Sequence, residues 1–235
     1  MKVRAFTMAE VLITLGIIGI VAAMTLPALI TRNQNKALEA SLKKNYSVIL
    51  QAFDMYLADK GERLKAEDVN IGCTLMCLKK IIMPYFKILR DCGYGAQLQK
   101  ACIPYAGNEL MDDERNFKSY RTYSGEIIKN LALLDDGQFI LPDGSLILIN
   151  NTENIDNIYI TVDVNGYLKN PNRWGHDLFT FQLMRDGRIL PMGAPDTAYT
   201  DKNTYCSAIS SDQYNGIACT YYALSDKNYF NNLPR

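Results

Sequence analysis

Residues 11–30 read VLITLGIIGIVAAMTLPALI, twenty positions without a charged side chain. At about 1.5 Å per residue a helix of that length covers roughly 30 Å, the thickness of a bilayer's hydrocarbon core. Only MKVRA precedes Phe6, and it carries Lys2 and Arg4, the charge pattern that holds an N-terminus in the cytoplasm. Arg32 and Lys36 follow the run and weaken that asymmetry, so charge alone does not set the orientation. Glu10 stands at the edge of the apolar stretch, where an unpaired carboxylate costs about 2.5 to 3.5 kcal/mol if drawn to the bilayer centre. If the chain were cut between Ala5 and Phe6, the new α-amino group would lie one helical turn before Glu10. In a packed assembly that amino group could pair with the Glu10 carboxylate of a neighbouring copy. The plainer reading is that Glu10 marks the membrane boundary.

Three residues inside the run bear on how such a helix packs. Pro27 has no N–H to give the carbonyl of Ala23 and so kinks or loosens the helix locally. Gly16 and Gly19 are weak helix formers that also permit close helix approach. Beyond the run, Leu38, Leu42, Tyr46, Ile49, Leu50, Phe53 and Leu57 recur at steps of three and four, with charged residues between them. That spacing predicts an amphipathic continuation, hence one rod over residues 6–60, ended at Gly61, with its second half on a globular head.

Within the head, apolar positions predict a helix over residues 74–89, broken or kinked by Pro84. From Leu131 the pattern changes to short β-rich runs. DDGQFILPDGSLILIN reads as two strands with turns at Asp136-Gly137 and Asp143-Gly144, and IYITVDVNG and LFTFQLMRDGRILPMG follow with glycine turns of their own. The expected fold class is α+β, an antiparallel meander lying on the long helix.

Lys and Arg together equal Asp and Glu, 25 of each, so no global charge steers the molecule to nucleic acid. Lys118, Arg121, Arg173, Arg185 and Arg188 are scattered among acidic residues and read as a solvated surface. Six cysteines, at 73, 77, 92, 102, 206 and 219, all lie beyond the apolar run, as in a domain that matures where thiols oxidise. Buried free thiols are the alternative. A zinc site from Cys73, Cys77, Cys92 and Cys102 fits poorly, because C-x3-C and C-x9-C are not common zinc spacings.

Ala5-Phe6-Thr7-Met8-Ala9-Glu10-Val11-Leu12 followed by the apolar run resembles the prepilin motif of type IV pilins and type II secretion pseudopilins. In that family a membrane peptidase removes a short basic leader, the exposed Phe is N-methylated, and the Glu four positions later is needed for assembly. The resemblance assigns processing to Ala5 and Phe6 and assembly to Glu10, with Gly16, Gly19 and Pro27 where such helices carry small residues and a proline. One departure is Ala5, where the family has Gly; Ala is nearly as small. The implied organisation is a leader at 1–5, a membrane and assembly helix at 6–30, its amphipathic continuation at 31–60 and a head outside the cytoplasm at 61–235. The implied partners are like subunits in a helical filament, the prepilin peptidase, the inner-membrane assembly platform and the membrane itself. The segment between Cys206 and Cys219 likewise resembles the C-terminal disulfide loop of many pilins; pairing among Cys73, Cys77, Cys92 and Cys102 stays open.

Asp163-Val164-Asn165-Gly166, then residues 171–177 (PNRWGHD), resemble an inter-strand loop of certain pilin-like proteins. Asp163, Asn165 and Asp177 offer oxygens that could suit Ca²⁺, which takes six to eight; no other cofactor is implied, and Asp-x-Asn-Gly is also a plain turn sequence. His176 is the only histidine and reads as a packing element of its loop. With no hydrolase triad, zinc-protease or phosphate-loop motif, an enzyme is not expected. The clustered tyrosines near the C-terminus read as sheet-face packing ahead of a recognition surface. Two other functions fit parts of the sequence. One is a monomeric tethered module that binds a ligand or DNA; the other is a secreted protein cut near Ala23.

Overall fold

The computed structural model describes residues 7–69, 76–94, 102–103, 120–128, 131–152 and 155–234. Helix α1, Met8–Lys60, runs for 53 residues and continues through Pro27. It ends where the sequence reading places the stop. Gly61 takes φ +81° and its N–H reaches the carbonyl of Leu57 at 2.8 Å, a left-handed cap that glycine adopts without a Cβ penalty.

The chain divides into two units, Met1–Ala37 and Leu38–Arg235. In the first, α1 is the one helix of the described residues long and apolar enough to cross a membrane. Leu12, Ile13, Ile17, Ile18 and Ile20 stand exposed along it. In the second, α1 contributes Leu42, Ile49, Ala52 and Phe53 to the head's core, at the three-and-four spacing the sequence predicts.

The head is α+β. Among the described residues six strands, β1 Arg90–Asp91, β2 Gly137–Ile140, β3 Leu146–Asn151, β4 Ile158–Asp163, β5 Leu178–Leu183 and β6 Ile189–Pro191, form one antiparallel sheet in sequential order. The meander follows from its turns: Gly144 at φ +89° joins β2 to β3, and Gly187 at φ +81° joins β5 to β6. Alternation sorts the strands' side chains to two faces. Ile147, Ile149, Ile160, Val162, Phe179 and Phe181 face α1, where the rings of Tyr46 and Phe181 stack at 4.9 Å. Leu146, Leu148, Tyr159 and Leu178 face the other way, under Tyr120, Met192 and Ile217. The sheet is thus covered on both faces, which is why its central strands are fully buried.

Two expectations need correcting. The helix predicted over residues 74–89 is α2, Cys77–Ile82, followed by a 3-10 turn at Met83–Tyr85 and extended chain toward β1; residues 74 and 75 lie outside the described part. Pro84, lacking an N–H, ends the α-helical ladder. Gly137 is the first residue of β2 rather than a turn residue. A Cβ there would lie 2.8 Å from Cβ of Lys79, so the glycine lets the sheet edge approach the buried Lys79 stem. Lys79 itself pairs with Asp91 and donates to the carbonyl of Gly93 at 2.8 Å.

Buried polar side chains on or beside the strands hold the irregular segments. Gln138 Oε1 accepts the N–H groups of Cys102 and Ile103 at 2.9 and 3.0 Å. Asn151 Oδ1 accepts those of Cys77 and Leu78, both at 2.8 Å, and Gln182 Oε1 accepts that of Ala198 at 2.8 Å. Each removes the cost of a backbone donor taken from water without a partner, about 1 to 3 kcal/mol.

Candidate functional site

At the start of α1, the hydroxyl and N–H of Thr7 both donate to Glu10 Oε2 at 2.8 Å, and the N–H of Glu10 donates to Thr7 Oγ1 at 3.2 Å. This is a reciprocal capping box, Thr-x-x-Glu, satisfying donors that a helix N-terminus leaves open. Thr7-Met8-Ala9-Glu10 carries that signature openly in the sequence, but the reading of Glu10 as a membrane-edge acid overlooked it. Glu10 therefore has a local partner as well as the intermolecular one expected of it. Ala5 and Phe6 lie outside the described residues. Ideal Cβ atoms on Gly16 and Gly19 meet nothing within 4 Å, so both positions are open to another helix.

Further along, Thr14 Oγ1 donates to the carbonyl of Glu10 at 3.0 Å, Thr25 to that of Val21 at 2.9 Å and Thr31 to that of Pro27 at 3.0 Å. Each hydroxyl is satisfied within the helix, the arrangement a lipid environment requires of a polar group.

The second constellation is the loop from Asp163 to Asp177, and the structure brings its predicted residues together. Asp163 Oδ1 accepts the N–H of Gly166 at 2.8 Å and of Asn165 at 3.3 Å, while Oδ2 accepts the Tyr120 hydroxyl at 2.8 Å. Asp177 Oδ2 accepts Asn172 N at 2.8 Å and Oδ1 accepts Arg173 N at 2.7 Å. Both carboxylates are fully buried. Burial, and after it the charge of Asp177, pushes Asp163 well above the usual carboxylate range; burial pushes Asp177 up to about 6. Asn165 Oδ1 is buried with no hydrogen-bond partner among the described residues. The Asp oxygens that Ca²⁺ would use already accept protein hydrogens, Asp163 Oδ2 that of Tyr120 and the two oxygens of Asp177 those of Asn172 and Arg173, and a carboxylate oxygen offers two lone pairs. Among the described residues no group of three His, Cys, Asp or Glu side chains is placed to hold a metal.

His176 sits on the same loop, buried, its ring 5.6 Å from that of Tyr123. Burial, then the Arg173 charge, lowers it to about 3, so it stays neutral and packs, as the sequence reading has it. Arg173 is no surface cation: it is buried and donates to the carbonyl of Tyr123 from Nε at 3.1 Å and from Nη2 at 2.5 Å. Arg185 pairs with Asp156 and Arg188 with Asp186, each at 2.6 Å, and Arg121 donates to the carbonyl of Gly125 at 2.8 Å. Lys118 lies outside the described residues.

Two disulfides are resolved, Cys92–Cys102 and Cys206–Cys219. Cys77 is disulfide-bonded as well, and Cys73 lies outside the described residues, so the thiolate set a zinc ion would need is absent among those described. Closing the 13-residue separation between Cys206 and Cys219 stabilises the tail by about 3 kcal/mol through the unfolded chain. Of the tail tyrosines, Tyr199 packs its ring against Tyr159, Tyr205 and Tyr214 on the sheet face away from α1. Tyr229 is buried and donates to the carbonyl of Gly175 at 2.7 Å.

No protein-family model, no curated protein and no solved structure matches the chain.

Proposed function

We propose that the chain is a pilin-like filament subunit, of the type IV pilus or type II secretion kind, held in a bacterial inner membrane by α1 with its head outside the cytoplasm. The observation that carries this reading is one unbroken helix, Met8–Lys60, bare and apolar early on yet supplying the head's core from Leu42 to Phe53. A removable signal sequence has no need to continue as a structural helix of the mature domain. The internally satisfied threonines and the open Gly16 and Gly19 suit a helix that meets lipid and sister helices rather than water. The disulfides of the head suit an oxidising compartment, and the prepilin-like residues from Ala5 to Leu12 supply the processing and assembly roles.

Membrane retention tests the anchor. After an alkaline carbonate wash of cell membranes the full chain is expected in the pellet, and a chain lacking residues 8–30 in the wash. Release of the full chain into the wash would contradict the proposal.

A further inference from the structure

The loop closed by Cys206 and Cys219 carries Ile209, which is 93% exposed. The loop beneath it is tightly held. Asn215 is fully buried and its Nδ2 donates to the carbonyls of Ser207 and Ser210 at 2.7 and 2.9 Å, while its Oδ1 accepts Ser207 N at 3.0 Å. Ser210 Oγ donates to the carbonyl of Thr204 at 2.7 Å. An isoleucine is thereby fixed in water on a rigid mount, so the ordering cost of contacting another surface has already been met in folding.

The head also holds a hollow of about 440 Å³, lined by Val48, Ala52 and Met55 of α1 with Phe86, Leu141 and Pro142. Met55 in its wall is 54% exposed, and Ile88 and Leu89, next in sequence after the lining Lys87, are 39% and 67% exposed. Lys87 at its rim has no ion pair among the described residues, and Asp212, three positions from Ile209, has none either. The two therefore carry opposite charge, Lys87 in the lining of the hollow and Asp212 near the exposed Ile209.

The knob and the hollow belong to opposite layers of one head. The hollow is on the α1 side of the sheet, whereas the loop packs through Tyr214 and Ile217 on the other face. They cannot meet within one chain. Resting on the filament reading above, we infer that Ile209 of one copy seats in the hollow of a second copy, with Asp212 against Lys87. Such a contact uses different patches on the two partners, so it propagates head to tail instead of closing a symmetric pair.

Crosslinking of the full chain in its membranes tests this. The described cysteines are all disulfide-bonded, so a short bismaleimide reaches introduced thiols. Ile209→Cys with Met55→Cys is expected to give a ladder beyond the dimer, which neither single substitution can give. Ile209→Cys with Leu168→Cys, a pair of exposed apolar positions away from the hollow, should give none. Adding Ile209→Asp to a chain carrying Leu12→Cys is expected to lower helix-to-helix disulfide formation under copper phenanthroline by about tenfold, with the head's melting temperature unchanged. If Leu12→Cys crosslinks between copies while the Ile209 and Met55 pair gives no ladder, the head contact is wrong and the membrane assembly stands. If neither crosslinks, the filament reading falls and takes this contact with it.

Discussion

Glu10→Gln is expected to cut assembled filaments on the order of a hundredfold, because the neighbour's α-ammonium then enters the apolar assembly unpaired, at about the 2.5 to 3.5 kcal/mol that a lone charge costs there, while leaving the chain in the membrane. The substitution separates the two roles this residue can have. Glutamine at the third helical position still completes a capping box with Thr7 but brings no charge to a neighbour's α-amino group. Thr7→Ala does the converse: it removes the hydroxyl that both accepts from and donates to Glu10, at about 1 kcal/mol, and keeps the carboxylate. If the charge pairs between subunits, filaments sheared from cells are lost in Glu10→Gln and present in Thr7→Ala. The opposite pattern would reduce Glu10 to a helix cap.

Asp177→Ala is expected to destabilise the head by about 3 kcal/mol or more, because the buried N–H groups of Asn172 and Arg173 lose their acceptor together, at about 1 to 3 kcal/mol each. Asp177→Asn keeps one acceptor and should cost roughly half as much, with a pH signature. The folded carboxyl titrates at about 6, above the usual value near 3.9. The native state therefore holds a proton that the unfolded chain releases between about pH 4 and 6, and the stability this lends is present at low pH and lost as pH rises. From pH 7 to pH 5 the wild type should gain about 1 kcal/mol from this group that Asp177→Asn does not. His176 acts in the opposite sense: its folded value of about 3 means that the unfolded chain takes up a proton below about pH 6.5. Both proteins share that loss, and because the Asp177 charge also helps to raise Asp163, their difference reports the Asp163 and Asp177 pair. Trp174, buried and the chain's only tryptophan, reports the transition by fluorescence for the full chain in detergent. A cost of Asp177→Asn that is equal at pH 5 and pH 7 would contradict the raised carboxyl. Added Ca²⁺ tests the pair directly: a midpoint shift that vanishes in Asp177→Asn would show that an ion takes it, and an unmoved midpoint that the carboxyls serve their hydrogen bonds alone.

The sequence showed best what repeats. Seven apolar positions between Leu38 and Leu57 at steps of three and four, stopped by Gly61, read directly as a helix with one buried face. Strands β2 to β6 were legible because Asp-Gly and Asn-Gly pairs punctuate runs of alternating apolar residues. The overlong reading at residues 74–89 counted apolar spacing across Pro84, whose missing N–H outweighs that spacing. Least legible were Gln138, Asn151, Asp163, Asp177 and Asn215. A polar residue in or beside a strand reads as a solvent position, yet Gln138 and Asn151 face inward to satisfy backbone N–H groups 35 to 74 residues away, which no local pattern encodes, while Asp163, Asp177 and Asn215 turn inward onto backbone groups within eight residues of their own positions. The shielding of the sheet's second face was half visible in the tyrosine density near the C-terminus, but not in the loop that carries Tyr120. The capping box is encoded locally by Thr7-x-x-Glu10, and it is masked in a membrane-edge reading because the same carboxylate also carries the cost of a charge near lipid.

The retention of α1 in the mature protein is the claim on which the assembly, the orientation and the head contact all depend. Intact and N-terminal peptide masses of the chain purified from membranes measure it directly. The account predicts a mature chain that begins at Phe6 and carries one N-terminal methyl group. A chain beginning near Met24 would contradict it, because the helix proposed to anchor and assemble the chain would then have been discarded as a signal.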